Sequence, residues 1–155
     1  MNSQQRRLTF TSLDQIMPEV DRLLIAEYTS AGQWSLGQIC NHLTDAITFS
    51  VDGYPALAPW VVRKTIGPLL VRRRLKKGVF PQGIGLPVKF APKPGCDARA
   101  EAEALRAALR HYQSHTGAMG EHPLGGKLTR AQWDAFHGIH SAHHLGFVAP
   151  TNLTN

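Results

Sequence analysis

A chain of 155 residues, with 43% hydrophobic and 18% charged residues, is long enough to close one apolar core and too apolar for a disordered protein. No stretch approaches the ~20 consecutive apolar residues of a membrane span, and the opening MNSQQRRLTF has no apolar block of the kind a secretory signal needs. The net charge of +6 is concentrated, with seven of the seventeen basic residues between Arg63 and Lys77.

These bounds predict one cytoplasmic domain over residues 1–155, with its core from about 13 to 147. The two cysteines stand in unlike contexts and neither has a CxxC partner, which argues against a disulfide scaffold. Cys40 falls in an apolar helical pattern and reads as core; Cys96 falls in a Pro/Gly-rich loop.

Three segments open with the S/T-x-x-E/Q capping box: Ser12 to Gln15, Ser35 to Gln38 and Thr129 to Gln132. In that box the hydroxyl accepts from an early helix N–H and the Gln side chain reaches back to the cap. Trp34 with Ile39, and Leu128 with Trp133, add hydrophobic staples to the last two. The first helix is expected from about Leu13 to Thr29, with Ile16, Met17, Val20, Leu23 and Leu24 along one face. The second is expected from Leu36 to about Val51, ended by the turn residues Asp52-Gly53-Tyr54-Pro55. A third, Pro59 to about Lys77, must kink or break at Pro68, whose ring removes an amide donor and crowds the preceding turn.

The stretch from Gly78 to Gly95 holds four glycines and four prolines, a long irregular crossover expected to be mostly ordered. Its apolar residues Phe80, Ile84, Leu86, Val88 and Phe90 are suited to docking on a core, and Leu86 to Phe90 to a short strand. Asp97 caps a fourth helix reaching about His115, with Gly117 as its stop, and EHPLGGK forms a loop before the last helix. The predicted fold is all-α: a four-helix bundle with a long Pro/Gly-rich crossover between the second and third bundle helices and an extra broken helix.

Four of the eight histidines lie in WDAFHGIHSAHHLGF: His137, His140, His143 and His144. Residues four apart share a helix face, so His140 and His144 can point at one ion, with His137 a turn earlier and His143 rotated away. His42, inside the second helix, is the candidate third ligand if folding brings it near. The spacing alone does not decide between a metal site and a crowded helix surface. His111 and His115 repeat the HxxxH spacing at a helix end, where protonated imidazole suits the dipole.

The order of these motifs resembles the DinB-like (YfiT-like) metal-binding four-helix proteins. The helix that runs from Trp34-Ser35 to His42-Leu43, followed near the C-terminus by His140 to His144, carries the likeness. SVDGYPAL, KFAPKPG and EHPLGGKLTRAQWDAFHGIHSAHHLGF resemble, more narrowly, an uncharacterised bacterial branch of that superfamily. The resemblance implies a metal site of His42, His140 and His144. Relatives often carry Arg-Gly-Gln after the last histidine; here Leu145-Gly146-Phe147 stands instead.

Three neutral imidazoles leave a divalent ion its charge and an open position, so the expected cofactor is zinc or nickel, with iron or manganese as alternatives. A low-molecular-weight thiol is the implied second cofactor, and the expected activity is that of a thiol transferase or hydrolase on a small-molecule substrate. Asp45, one turn after His42, and His137 are the candidate catalytic side chains. Arg72, Arg73 and Arg74 suit an anionic thiol but are expected to lie away from the site. The competing reading is a non-catalytic metal-binding or interaction protein. Binding of nucleic acid or an anionic surface through Arg63 to Lys77 is a lesser alternative, because the run lacks interleaved aromatics and a recognised motif; no membrane partner is expected. A homodimer is left open.

Overall fold

The computed structural model describes residues 5–80 and 90–151. Its helices are α1 (Ile16–Ile25), α2 (Leu36–Asp52), α3 (Trp60–Lys64), α4 (Ile66–Lys77), α5 (Ala98–Ser114) and α6 (Arg130–Leu145). A 3-10 turn, Leu13–Gln15, leads into α1. All three capping boxes form, with both the side-chain and the return hydrogen bonds present at Ser12, Ser35 and Thr129. Asp97 caps α5 by accepting from the Ala100 N–H at 2.8 Å.

Helices α1, α2, α5 and α6 make the bundle, with α2 and α5 the most extensively packed pair. Their inward faces supply a core in which Ile16, Leu23, Ile39, Leu43, Leu105 and Trp133 are almost wholly removed from water. Burial on this scale drives the fold, since each large apolar side chain contributes roughly 1.5–3 kcal/mol. Cys40 is buried in the same core and Cys96 is partly exposed; both are free thiols.

Two local expectations are corrected. The first helix stops at Ile25 rather than Thr29, and Tyr28–Ser30 is a strand, β1. It pairs antiparallel with β2 (Val148–Pro150), Tyr28 opposite Pro150 and Ser30 opposite Val148. Tyr28 and Thr29 favour extended backbone, and the ladder from the far end of the chain captures them. The third helix breaks at Thr65 (φ −116°, ψ −94°), three residues before Pro68. Pro68 then sits in the first turn of α4, where its missing N–H costs nothing and its ring prevents continuation from the preceding turn.

The broken pair α3–α4 is held against the loop before α6. Arg63 forms an ion pair with Glu121, and the Ala58 N–H donates to the Pro123 carbonyl at 2.8 Å. The closest approach is at Gly67, where an added Cβ would stand 2.0 Å from the Leu124 carbonyl oxygen. Only glycine allows that contact. α4 therefore lies beside α6, and Gly78 ends it in the left-handed conformation (φ 67°).

Of the crossover, Phe80 and Phe90 pack inward: Phe80 meets Phe136 at 5.6 Å between ring centroids, and Phe90 meets Tyr54 at 6.1 Å. The expected docking of Ile84, Leu86 and Val88, and nearly all of the short strand proposed for 86–90, fall outside the described residues. Among the described residues no helix is long and apolar enough to cross a membrane.

Candidate metal centre

The Ser35 box fixes the start of α2 and so the azimuth of His42 two turns later. Neighbouring Asn41 locks that face, its amide donating to Glu101 on α5 at 3.1 Å and its carbonyl accepting from the Lys93 N–H at 3.2 Å. The Thr129 box likewise fixes α6, which carries His140 and His144 one turn apart.

Across the α2–α6 contact the three imidazoles meet. His42 Nε2 lies 3.1 Å from His140 Nε2, and His144 Nε2 lies 3.0 Å from the same atom. One ligand atom from each residue falls within 4.8 Å of the others, a set able to hold a metal ion. The Nδ1 of His42 lies 3.0 Å from the Phe90 carbonyl. A carbonyl can only accept, so His42 carries its proton on Nδ1 and aims a bare Nε2 at the cluster.

That arrangement suits a cation. A ring nitrogen presents a single in-plane site, either N–H or lone pair, so His140 Nε2 cannot make good hydrogen bonds to both neighbours. An ion between the rings would satisfy all three nitrogens at once. Zinc–nitrogen bonds of ~2.0–2.1 Å in a tetrahedron set nitrogens about 3.3–3.4 Å apart, close to the separations through His140. Protons do not substitute for the ion, because burial depresses every member. His42 is lowered to about 4 by desolvation, against the upward pull of its Phe90 carbonyl partner; His144 is lowered to about 2 and His140 well below the usual imidazole range, both first by desolvation and then by neighbouring histidines. All three are neutral donors at pH 7.

Aromatic rings enclose the trio. Trp34 stacks on His144 at 5.2 Å with the planes 12° apart, while Phe136 and Phe80 flank His140. One side is open to a cleft of about 760 Å³ bounded by α2, α4, α6 and the 120s loop, and His42, His140 and His144 all line it. A cleft of this volume matches a small-molecule site.

The remaining sequence candidates divide. Asp45 lines the cleft, and its carboxyl is held above the usual range, first by burial and against the pull of Lys93. His137 does not line it. It is buried between Trp133 and Tyr112, and its Nε2–H donates to the Ser50 hydroxyl at 2.9 Å, since that hydroxyl already donates to the Ile47 carbonyl. His143, expected to point elsewhere, lines the cleft with its ring 5.0 Å from that of His144. The arginines need a correction too: Arg73 and Arg74, together with Lys77, line the cleft, whereas Arg72 does not. The Gly67 contact brings α4 over the site, a tertiary fact with no local signature.

Two further cleft residues were not among the site candidates: the sequence sets His122 aside with His111 and His115, and reads Tyr54 only as part of a turn. His122 is buried on the cleft wall with its Nδ1 accepting from the Leu124 and Gly125 N–H groups at 3.1 and 2.9 Å. Tyr54 lines the cleft with its hydroxyl donating to the Ala46 carbonyl at 3.0 Å. The EHPLGGK loop signal marked the neighbourhood of His122 but not its inward turn.

Fold and site together define an all-α helical bundle with a three-histidine cluster able to hold a metal ion. By sequence the chain belongs to the family described as "Protein of unknown function (DUF1569)", whose model matches residues 2–151. No curated protein and no solved structure matches it.

Proposed function

We propose that this chain is a metal-dependent enzyme acting on a small molecule in the cleft, with His42, His140 and His144 as the ligands of a divalent ion, zinc or nickel foremost. The observation that carries the reading is the convergence of three neutral imidazole nitrogens on the wall of a cleft, not in the middle of the core. When bound, such an ion supplies Lewis acidity, lowering the pKa of water toward ~7 or holding a thiol as its reactive thiolate. The chain's own groups do the rest. Phe90 holds the His42 tautomer, the Trp34 ring screens His144 from water, and Asp45 is a proton acceptor one turn from His42.

The likeness to DinB-like proteins favours transfer to or from a low-molecular-weight thiol over hydrolysis. The test is turnover by metal-loaded protein on a panel of thiols with electrophiles, alongside simple esters and amides. Activity should vanish on chelation, return with metal, and be absent in His144→Ala. Turnover that ignores metal removal contradicts the proposal. A full complement of metal with no turnover would favour a non-catalytic ion that ties α2 to α6.

A further inference from the structure

The basic helix and the histidine cluster share one cleft, and that juxtaposition constrains the ligand. Arg73, Arg74 and Lys77 line the cleft from α4, while Arg72 and Lys76, on the same helix, do not. The split follows helical spacing: positions 73, 74 and 77 fall on one face with the cleft-lining Leu70. Cations in the last turn of a helix are favoured by its dipole, which accounts for charge there but not for which side chains turn toward the cleft.

Among the described residues no acidic side chain pairs with these three. Each of the eleven Asp and Glu residues lies among the described residues, and none forms an ion pair with Arg73, Arg74 or Lys77. Among the described residues Asp45 is the one carboxylate lining the cleft, and it stands on α2 one turn after His42. The rest of the lining is mostly apolar, with Phe49, Tyr54, Leu70, Phe80, Leu124 and Phe136 among it. A cleft with this lining takes a ligand that has an apolar body and carries a negative group.

We propose that the cleft binds an organic anion: an apolar, ring-sized body reaching the histidine cluster, with a carboxylate or phosphate group anchored by Arg73, Arg74 and Lys77. The assignment rests on the reading of this cleft as the substrate site and adds the class of substrate. The guanidinium pair accepts either oxyanion through paired N–H donors, which Lys77 supplements as a point charge.

Isothermal titration of naphthoate, naphthylphosphonate and the neutral naphthamide, into zinc-loaded and into chelator-stripped protein, tests it. Both forms should bind at least one of the two anions about tenfold more tightly than the amide, the sum of partly solvated charge contacts. Whichever anion binds more tightly identifies the head group. The preference should disappear in Arg73→Ala/Arg74→Ala and persist in Arg72→Ala/Lys76→Ala, with helicity by circular dichroism unchanged in both.

Equal binding of anions and amide, or no binding of the anions, overturns the proposal. So does an equal loss in the Arg72/Lys76 variant. A preference that vanishes on metal removal yet ignores the arginines would mean the metal alone holds the anion, sinking this inference and sparing the metal reading. An arginine-dependent preference in protein that takes up no metal supports this inference and overturns the metal reading instead.

Discussion

His122 shows how one imidazole can be silent in sequence and consequential in the fold. It accepts two backbone N–H bonds in a buried turn, and burial pushes it down to about 4 from its ordinary 6.5. His137, packed on Trp133, is pushed down to about 3 for the same reason. In the unfolded chain both regain ordinary values, so below pH 6.5 the unfolded state binds more protons than the folded one. Stability is therefore fully present above about pH 7 and falls as pH drops through 6.5 toward 4, by up to about 1.4 kcal/mol per pH unit for each histidine. Urea midpoints at pH 7, 6 and 5 should show that fall, and His122→Gln, which keeps an acceptor for the two N–H groups, should make it shallower by one histidine's share. An identical pH slope in the variant would refute the assignment to His122. At this scale the sequence displayed the HxxxH pair of His140 and His144, but displayed the same spacing at His111 and His115. Burial separates the two: His111 is half-exposed and pairs with Asp52, while His140 is buried against His42. Spacing carries no information about burial, so a distant partner on α2 was needed to tell a site from a surface.

Elements whose causes are local were legible; those whose causes lie far along the chain were not. The three capping boxes and the Asp97 cap form where their residues stand, because each needs only a cap and the next three residues. The β1–β2 ladder joins residues 28–30 to 148–150, and no local pattern announces it. Proline chemistry foretold a break between α3 and α4, but the bend falls at Thr65 because Pro68 tolerates the first turn of a new helix. The seat of α4 depends on Gly67 meeting the Leu124 carbonyl, which composition does not reveal. Gly67→Ala should force that contact apart and destabilise the protein by about 1–3 kcal/mol, as overpacking does elsewhere. Thermal and urea unfolding would register the loss, and an unchanged midpoint would mean that α4 is not anchored there. Gly78→Ala, whose added Cβ meets nothing within 4 Å, disturbs only a left-handed cap and serves as the comparison.

Over the whole molecule, the bundle converts two separate sequence signals into one site. His42 lies 98 residues from His140, yet α2 and α6 pack so that their Nε2 atoms stand 3.1 Å apart. Helix α4, outside the bundle core, lines the same cleft and gives it three basic side chains. The histidine set was legible through the order and separation of its motifs, while the shape and charge of the cleft emerged only with the packing. The central claim is that His42, His140 and His144 bind a divalent ion together, and elemental analysis tests it most directly. Protein purified without a chelating tag and dialysed against zinc or nickel should retain about one ion per chain, because three neutral imidazoles complete a protein-held site. His42→Gln and His144→Gln, folded by circular dichroism, should lose it. Metal content near zero in the parent chain, or undiminished in both variants, would contradict the account.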